Sequence, residues 1–114
     1  MARKNRLAID NLSSKDFSTI TASYSEMDVN PSLSNAASLI LIQNLTDITV
    51  MFSDDGTNDK FPIASDSYIL LDLDKFVDEP QISVPAGTRF QVKQVGGTAA
   101  TTGSIYITVF YPGR

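Results

Sequence analysis

Apolar and polar residues alternate in short runs along this chain, and no segment holds an apolar residue on a 3.6-residue period for three turns. β-branched and aromatic residues gather between clusters of Gly, Pro, Asn and Asp, which is the pattern of strands bounded by turns. The reading is all-β, with strands predicted over 17–24, 38–43, 48–53, 60–63, 67–73, 81–84, 88–95 and 104–111. Two segments have one dry and one wet face. Ile48, Val50 and Phe52 alternate with Thr49, Met51 and Ser53, and Phe90 and Val92 alternate with Arg89, Gln91 and Lys93. Two others are apolar on both faces: Leu39 to Ile42 form an unbroken run, and Ile105, Ile107 and Val109 alternate with Tyr106 and Phe110. A strand of that kind is covered on both sides. A second sheet covers one; another subunit, or N-terminal residues folded over the outer face, covers the other. The predicted core is Ile48, Val50, Phe52, Phe90, Val92, Ile105, Ile107 and Val109.

Turn chemistry sets the architecture. Asp55–Gly56 separates two apolar runs, Pro85–Ala86–Gly87 leads into a strand, and Gly96–Gly97 through Gly103 makes a loop of small residues. Strand and turn repeat at the spacing of a β-sandwich, and a jelly-roll-like sandwich with little helix is expected. Residues 25–36, with Asn30–Pro31, carry no pattern and read as a surface loop or as the linker to an N-terminal arm.

Composition narrows the chemistry. The chain has 114 residues, enough for one modest core, and no histidine, cysteine or tryptophan, so thiolate and imidazole metal sites, disulfides and the commonest general base are absent. The net charge of −4 argues against a general nucleic-acid binder. That charge is unevenly spread: Arg3, Lys4, Arg6 and Lys15 against Asp10 and Asp16 leave the first 16 residues at +2 and the remainder at −6. The expected organisation is a basic, extended N-terminal arm over 1–16, whose residues 1–8 are expected to be dispensable for folding, and a single sandwich over 17–114. No apolar stretch is long enough to span a membrane, and no apolar segment follows the basic start as a secretory signal requires.

Most candidate sites reduce to turn chemistry. Asp54, Asp55, Asn58 and Asp59 could offer oxygen ligands to calcium, but hairpin tips favour these residues for geometry alone. Asp72, Asp74, Asp78 and Glu79 include possible carboxylate pairs for glycoside hydrolysis, yet four acids so close together read as an exposed strand end. The glycine loop at 96–103 lacks the lysine and following helix of a phosphate cradle. No catalytic residue, metal or cofactor is predicted. The residues expected to touch partners are Arg3, Lys4 and Arg6 in the arm, and Ile40, Ile42, Tyr106 and Phe110 on a face opposite the core, where they would otherwise form an exposed apolar patch. Tyr24, Tyr68, Tyr106 and Tyr111 are the stacking faces a carbohydrate-binding sandwich would use.

Several pieces of the chain occur in a recognisable order. Gln43–Asn44 with Thr46 closes a strand. Val50 to Gly56 follows, with Phe61 beyond the turn, and then Ile69, Leu71 and Asp72. The Pro85-to-Thr88 turn leads into Phe90 to Lys93, and Gly103 to Thr108 forms a last strand ending in Tyr111. From Asn44 to Tyr111 the chain thereby resembles small structural proteins of tailed-bacteriophage virions, found as decoration, cement, collar or fibre-associated components. The resemblance implies a β-sandwich used as a structural module, with no catalytic residue. The expected function is that of a capsid decoration or cement protein; a neck, tail or fibre-associated component is the alternative, and a carbohydrate-binding module stands behind both. Its partners would be itself, as a homo-oligomer and on the habits of capsid lattices a trimer, and the major capsid or another virion protein. It would be made in the host cytoplasm and end in the virion.

Overall fold

A computed structural model describes residues 6–73 and 84–113. Two antiparallel sheets pack face to face as an all-β sandwich. The first contains β1 (Arg6–Ile9), β2 (Ser13–Asp16), β4 (Leu39–Asn44), β7 (Ser67–Asp72) and β9 (Ser104–Gly113), in the order β1-β9-β4-β7, with β2 also pairing to β9. The second contains β3 (Ser25–Glu26), β5 (Val50–Ser53), β6 (Phe61–Ile63) and β8 (Gln91–Gln94), in the order β3-β8-β5-β6. A 3₁₀ turn lies at Phe17–Thr19, and among the described residues no helix is long and apolar enough to cross a membrane.

The core lies between the sheets. All eight predicted core residues are buried there, with Ile20, Met27, Leu33, Ile40, Ile42 and Ile63. Phe52 stacks on Phe61 with ring centroids 5.4 Å apart and planes 3° from parallel. A polar knot bridges the sheets where β4 hands over to β5. The Asn44 side-chain amide donates to the carbonyls of Ile48 (2.8 Å), Ile63 (2.9 Å) and Ala64 (3.1 Å), and its oxygen accepts from the Thr46 hydroxyl at 2.6 Å. Every hydrogen-bonding site of a fully buried amide is thus used, as burial demands. Gly103 enters β9 with φ +94°, and a Cβ there would collide with the Leu45 carbonyl, so both conformation and space require glycine.

Four expectations are corrected. The segment predicted as a strand over 17–24 instead makes the 3₁₀ turn, because the Asp16 carboxylate accepts from the Ser18 N–H at 3.1 Å and competes with sheet pairing. The span 25–36, read as a loop or linker, contributes β3 and two core residues, Met27 and Leu33. Ser53, placed on the wet face, is buried: its hydroxyl donates to Asp55 (2.7 Å) and accepts from the backbone N–H of Gly56 (3.0 Å). Of the residues assigned to an arm, 6–9 and 13–16 are built into the sheet. Arg6 to Ile9 pair with Gly113 to Phe110, and Ser13 to Asp16 pair with Ile107 to Ser104. Removing residues 1–8 therefore takes away three of the four β1 positions. Residues 81–83 of the strand predicted over 81–84 lie outside the described residues.

Lys15 explains why β2 escapes a hydrophobicity reading. Its side chain is buried, and its ammonium donates to the Glu26 carbonyl at 2.8 Å and to the Asp28 carboxylate at 3.2 Å. Asp28 in turn accepts from the Asp16 N–H (2.9 Å) and the Thr19 hydroxyl (2.8 Å). Burial alone would push its carboxyl up; these donors and the Lys15 charge outweigh that and hold it below the usual range.

Candidate interaction surface

Strand register decides which side chains share a face, because directly opposed residues of antiparallel strands project the same way. Ile40 lies between Leu71 and Val109, and Ile42 lies between Ile69 and Ile107, so these positions face the core. The positions between them face out. Leu39 is flanked by Phe110 and Asp72, Leu41 by Thr108 and Leu70, and Gln43 by Tyr106 and Tyr68. On the far side of β9, Ile9 opposes Phe110, Leu7 opposes Pro112, and Ser14 opposes Tyr106.

The outer face of the five-stranded sheet is consequently apolar and open. Tyr68 is 68% exposed, Ile9 64%, Leu70 52% and Leu7 50%, and Leu39, Leu41, Tyr106 and Phe110 between them are half-buried. Three inter-strand spacings of about 4.8 Å by some 20 Å of strand give roughly 300 Å² in projection. Patches of that size on a monomer are often functional. The face is graded: Leu7, Ile9, Leu39, Leu41 and Leu70 are aliphatic, while Ser14, Tyr106, Gln43 and Tyr68 make a polar-aromatic row at one end.

The partner residues expected from the sequence divide. Tyr106 and Phe110 lie on this face as expected. Ile40 and Ile42 do not: each is fully buried between the sheets. In an unbroken run from Leu39 to Ile42 no polar position marks the outer side, and a one-residue error of parity exchanges the faces. Leu39 and Leu41 are the outward pair, and Leu7, Ile9, Tyr68 and Leu70 complete the surface. Arg3 and Lys4 lie outside the described residues, and Arg6 opens β1 opposite Gly113.

The acidic hairpin between β5 and β6 is occupied with its own turn. The Asp55 carboxylate accepts from the backbone N–H groups of Asn58 (2.9 Å) and Thr57 (2.8 Å) and from the Asn58 amide (2.9 Å), which hold its pKa far below the usual range. Lys60 sits 3.4 Å from Asp54. Among the described residues no group of three or more acidic side chains is placed to hold a metal ion. Asp72 ends β7 opposite Leu39; Asp74, Asp78 and Glu79 lie outside the described residues. The glycine loop is tied down by Thr101, whose backbone N–H donates to Asp47 at 2.9 Å.

A second polar group joins Tyr24, Asp59 and Lys93. The tyrosine hydroxyl donates to Asp59 at 2.6 Å, Lys93 approaches the same carboxylate at 3.3 Å, and its ammonium lies 4.7 Å from the Tyr24 ring centre. Loss of solvent and the adjacent carboxylate push the phenol up to about 12. Between β6 and β7 the sandwich opens into a cleft of about 190 Å³ floored by Phe61, Leu71, Val84 and Phe90, with Asp54 and Lys60 at the rim. Among the described residues its lining contains no nucleophile paired with a base. No protein-family model matches the chain, and no curated protein matches it.

Proposed function

We propose that this chain is a structural assembly protein whose working surface is the outer face of the five-stranded sheet, and that it serves in the virion of a tailed bacteriophage as a capsid decoration or cement protein. The open apolar face carries the assembly part of this reading. A small sandwich that leaves Ile9, Leu70 and Tyr68 in solvent beside an already filled core has surface left over for a partner. The virion part rests on the resemblance of residues 44–111. The strand order supports a jelly-roll winding, since from β2 to β9 every connection except the β5–β6 hairpin crosses between the sheets β2-β9-β4-β7 and β3-β8-β5-β6.

A mass-spectrometric inventory of purified particles tests the reading. A high copy number marks a shell lattice, a low one a neck, tail or fibre component, and absence from particles overturns the assignment to the virion. A glycan-binding reading keeps one observation in its favour. Tyr68 and Tyr106 share the outer face with Gln43 between them, two strand spacings or about 10 Å apart. Retention on a glycan array, lost with Tyr68→Ala, would select it over a purely structural role.

A further inference from the structure

The four-stranded sheet ends on short strands: β3 has two residues, and β6 has three with Pro62 at its centre. Both are devices that discourage pairing with another chain. β7 has neither. It is six residues long, contains no proline or lysine, and pairs with β4 along its whole length, while no described strand lies on its other side.

The direction of its free backbone groups follows from two hydrogen bonds. The Leu45 N–H donates to the Ser104 carbonyl at 2.9 Å, so the odd-numbered residues of β4 bond toward β9, and Ile40, Ile42 and Asn44 bond toward β7. The Leu73 N–H donates to the Ser38 carbonyl at 2.9 Å, in step with this alternation. Ile69 and Leu71 thus spend their backbone groups on β4, while the Ser67 N–H at the strand's start turns back to the Ala64 carbonyl at 3.2 Å. Tyr68, Leu70 and Asp72 point theirs outward from the edge, and the side chains of the same three residues lie on the outer face.

We propose that β7 is a self-pairing edge, to which a second copy of this chain adds its own β7 antiparallel about a twofold axis at Leu70. A twofold normal to the sheet keeps the outer faces on one side, so only registers that pair residues of the same face are open. With the axis at Leu70, that residue meets its counterpart and Tyr68 meets Asp72 of the second copy, in both directions. All three outward-facing residues of each copy are matched, and each tyrosine hydroxyl lies beside a carboxylate that accepts from it. Moving the axis to Ile69 sets Asp72 against position 66 of the second copy, which lies outside β7 in a turn with φ 55°, and so leaves Asp72 without a strand partner. The Leu70 register also joins the two outer apolar faces into one surface. A single edge buries less than the roughly 800 Å² per partner of a standard stable interface, so the pair is concentration-dependent and gains from avidity in a lattice. This deepens the assembly reading but is tested by self-association of the isolated protein, which is independent of any particle.

The absence of cysteine makes the geometry directly measurable. Leu70→Cys places two thiols in a bonded pair on the axis, with Cα atoms about 5.5 Å apart and within disulfide reach. Tyr68→Cys places its two copies about four residues out of register, some 13 Å along the strand and beyond reach. Under mild oxidation Leu70→Cys is expected to form covalent dimer about tenfold faster than Tyr68→Cys or the exposed control Thr49→Cys. Leu70→Lys, with unchanged β circular dichroism, is expected to shift light scattering from dimer to monomer. Equal crosslinking of the three cysteine variants, or a dimer that survives Leu70→Lys, overturns the proposal.

Discussion

The two faces of the five-stranded sheet are built from the same strands and similar residue types, and they end in different environments. On the inner face Ile40, Ile42, Ile105, Ile107 and Val109 are each at most 1% exposed; on the outer face Leu39, Leu41, Tyr106 and Phe110 are half-buried, and Ile9, Tyr68 and Leu70 are open. Hydrophobicity identifies β4, β7 and β9 of this sheet but not the side that gets covered. What covers a face is decided by register, and register depends on partners far away in the chain. An inner side chain answers to the other sheet, and an outer one to whatever docks.

The widest separation between the faces is expected in stability. Phe52→Ala removes a buried ring stacked on Phe61 and should cost about 3–5 kcal/mol, read as a lower urea midpoint at unchanged slope. Leu41→Ala, on the half-buried side of β4, should cost no more than about 1 kcal/mol. Comparable losses would mean that the outer face is as packed as the inner one.

The next contrast lies within the inner side, where β2 presents Lys15 instead of a hydrocarbon. Asp28→Ala leaves a buried ammonium with only the Glu26 carbonyl and should cost about 3 kcal/mol, whereas Lys15→Met removes the charge itself and should be near neutral. The order of the two losses, measured by denaturation, is the test. A large loss from Lys15→Met would show that the ion pair and not the packing holds β2 in place.

A smaller effect is expected in acid. Asp28 has a folded pKa below its ordinary value, so the unfolded chain binds its proton first and folding stability falls as pH drops. The contribution is full above about pH 4, near the unfolded carboxylate value, and is lost below it as the pH passes through the folded value. Stability measured from pH 6 to pH 2 should fall less steeply in Asp28→Asn than in the native chain, and parallel curves would remove Asp28 from the acid response. The smallest effect belongs to the exposed Thr49 beside β5, where Thr49→Ala should change stability by under about 0.5 kcal/mol.

Much of the sandwich is legible because several strands advertise themselves. Ile48, Val50, Phe52, Phe90 and Val92 alternate with polar neighbours, and the turns at Gly56 and Gly87 fall where their positive φ is needed. The first two strands are silent for a physical reason. β2 turns Ser13 and Lys15 inward, satisfied by the Asn30 carbonyl at 2.7 Å and by Glu26 and Asp28, so its buried positions look polar. β1 hides behind basic residues that suggest an arm. The candidate surface is half legible: Tyr106 and Phe110 face outward, but the uninterrupted run from Leu39 to Ile42 offers no polar residue to fix parity, so sequence alone does not choose Leu39 and Leu41 over Ile40 and Ile42.

The long last strand carries a consequence in time. β1 and β2 pair with β9, and Arg6 meets Gly113 across about a hundred residues of chain. During synthesis these early segments emerge with their partner not yet made, and β4 likewise lacks one neighbour until β9 arrives. Contacts this distant in sequence make folding slow and put its decisive step late. Until then Leu7, Ile9, Leu39 and Leu41 are exposed together with the future core, so the nascent chain presents more sticky surface than the finished protein. The interval before β9 joins is when wrong pairing is easiest, and a chain cut short before Ser104 should accumulate as aggregate, because its first sheet has no centre to assemble around.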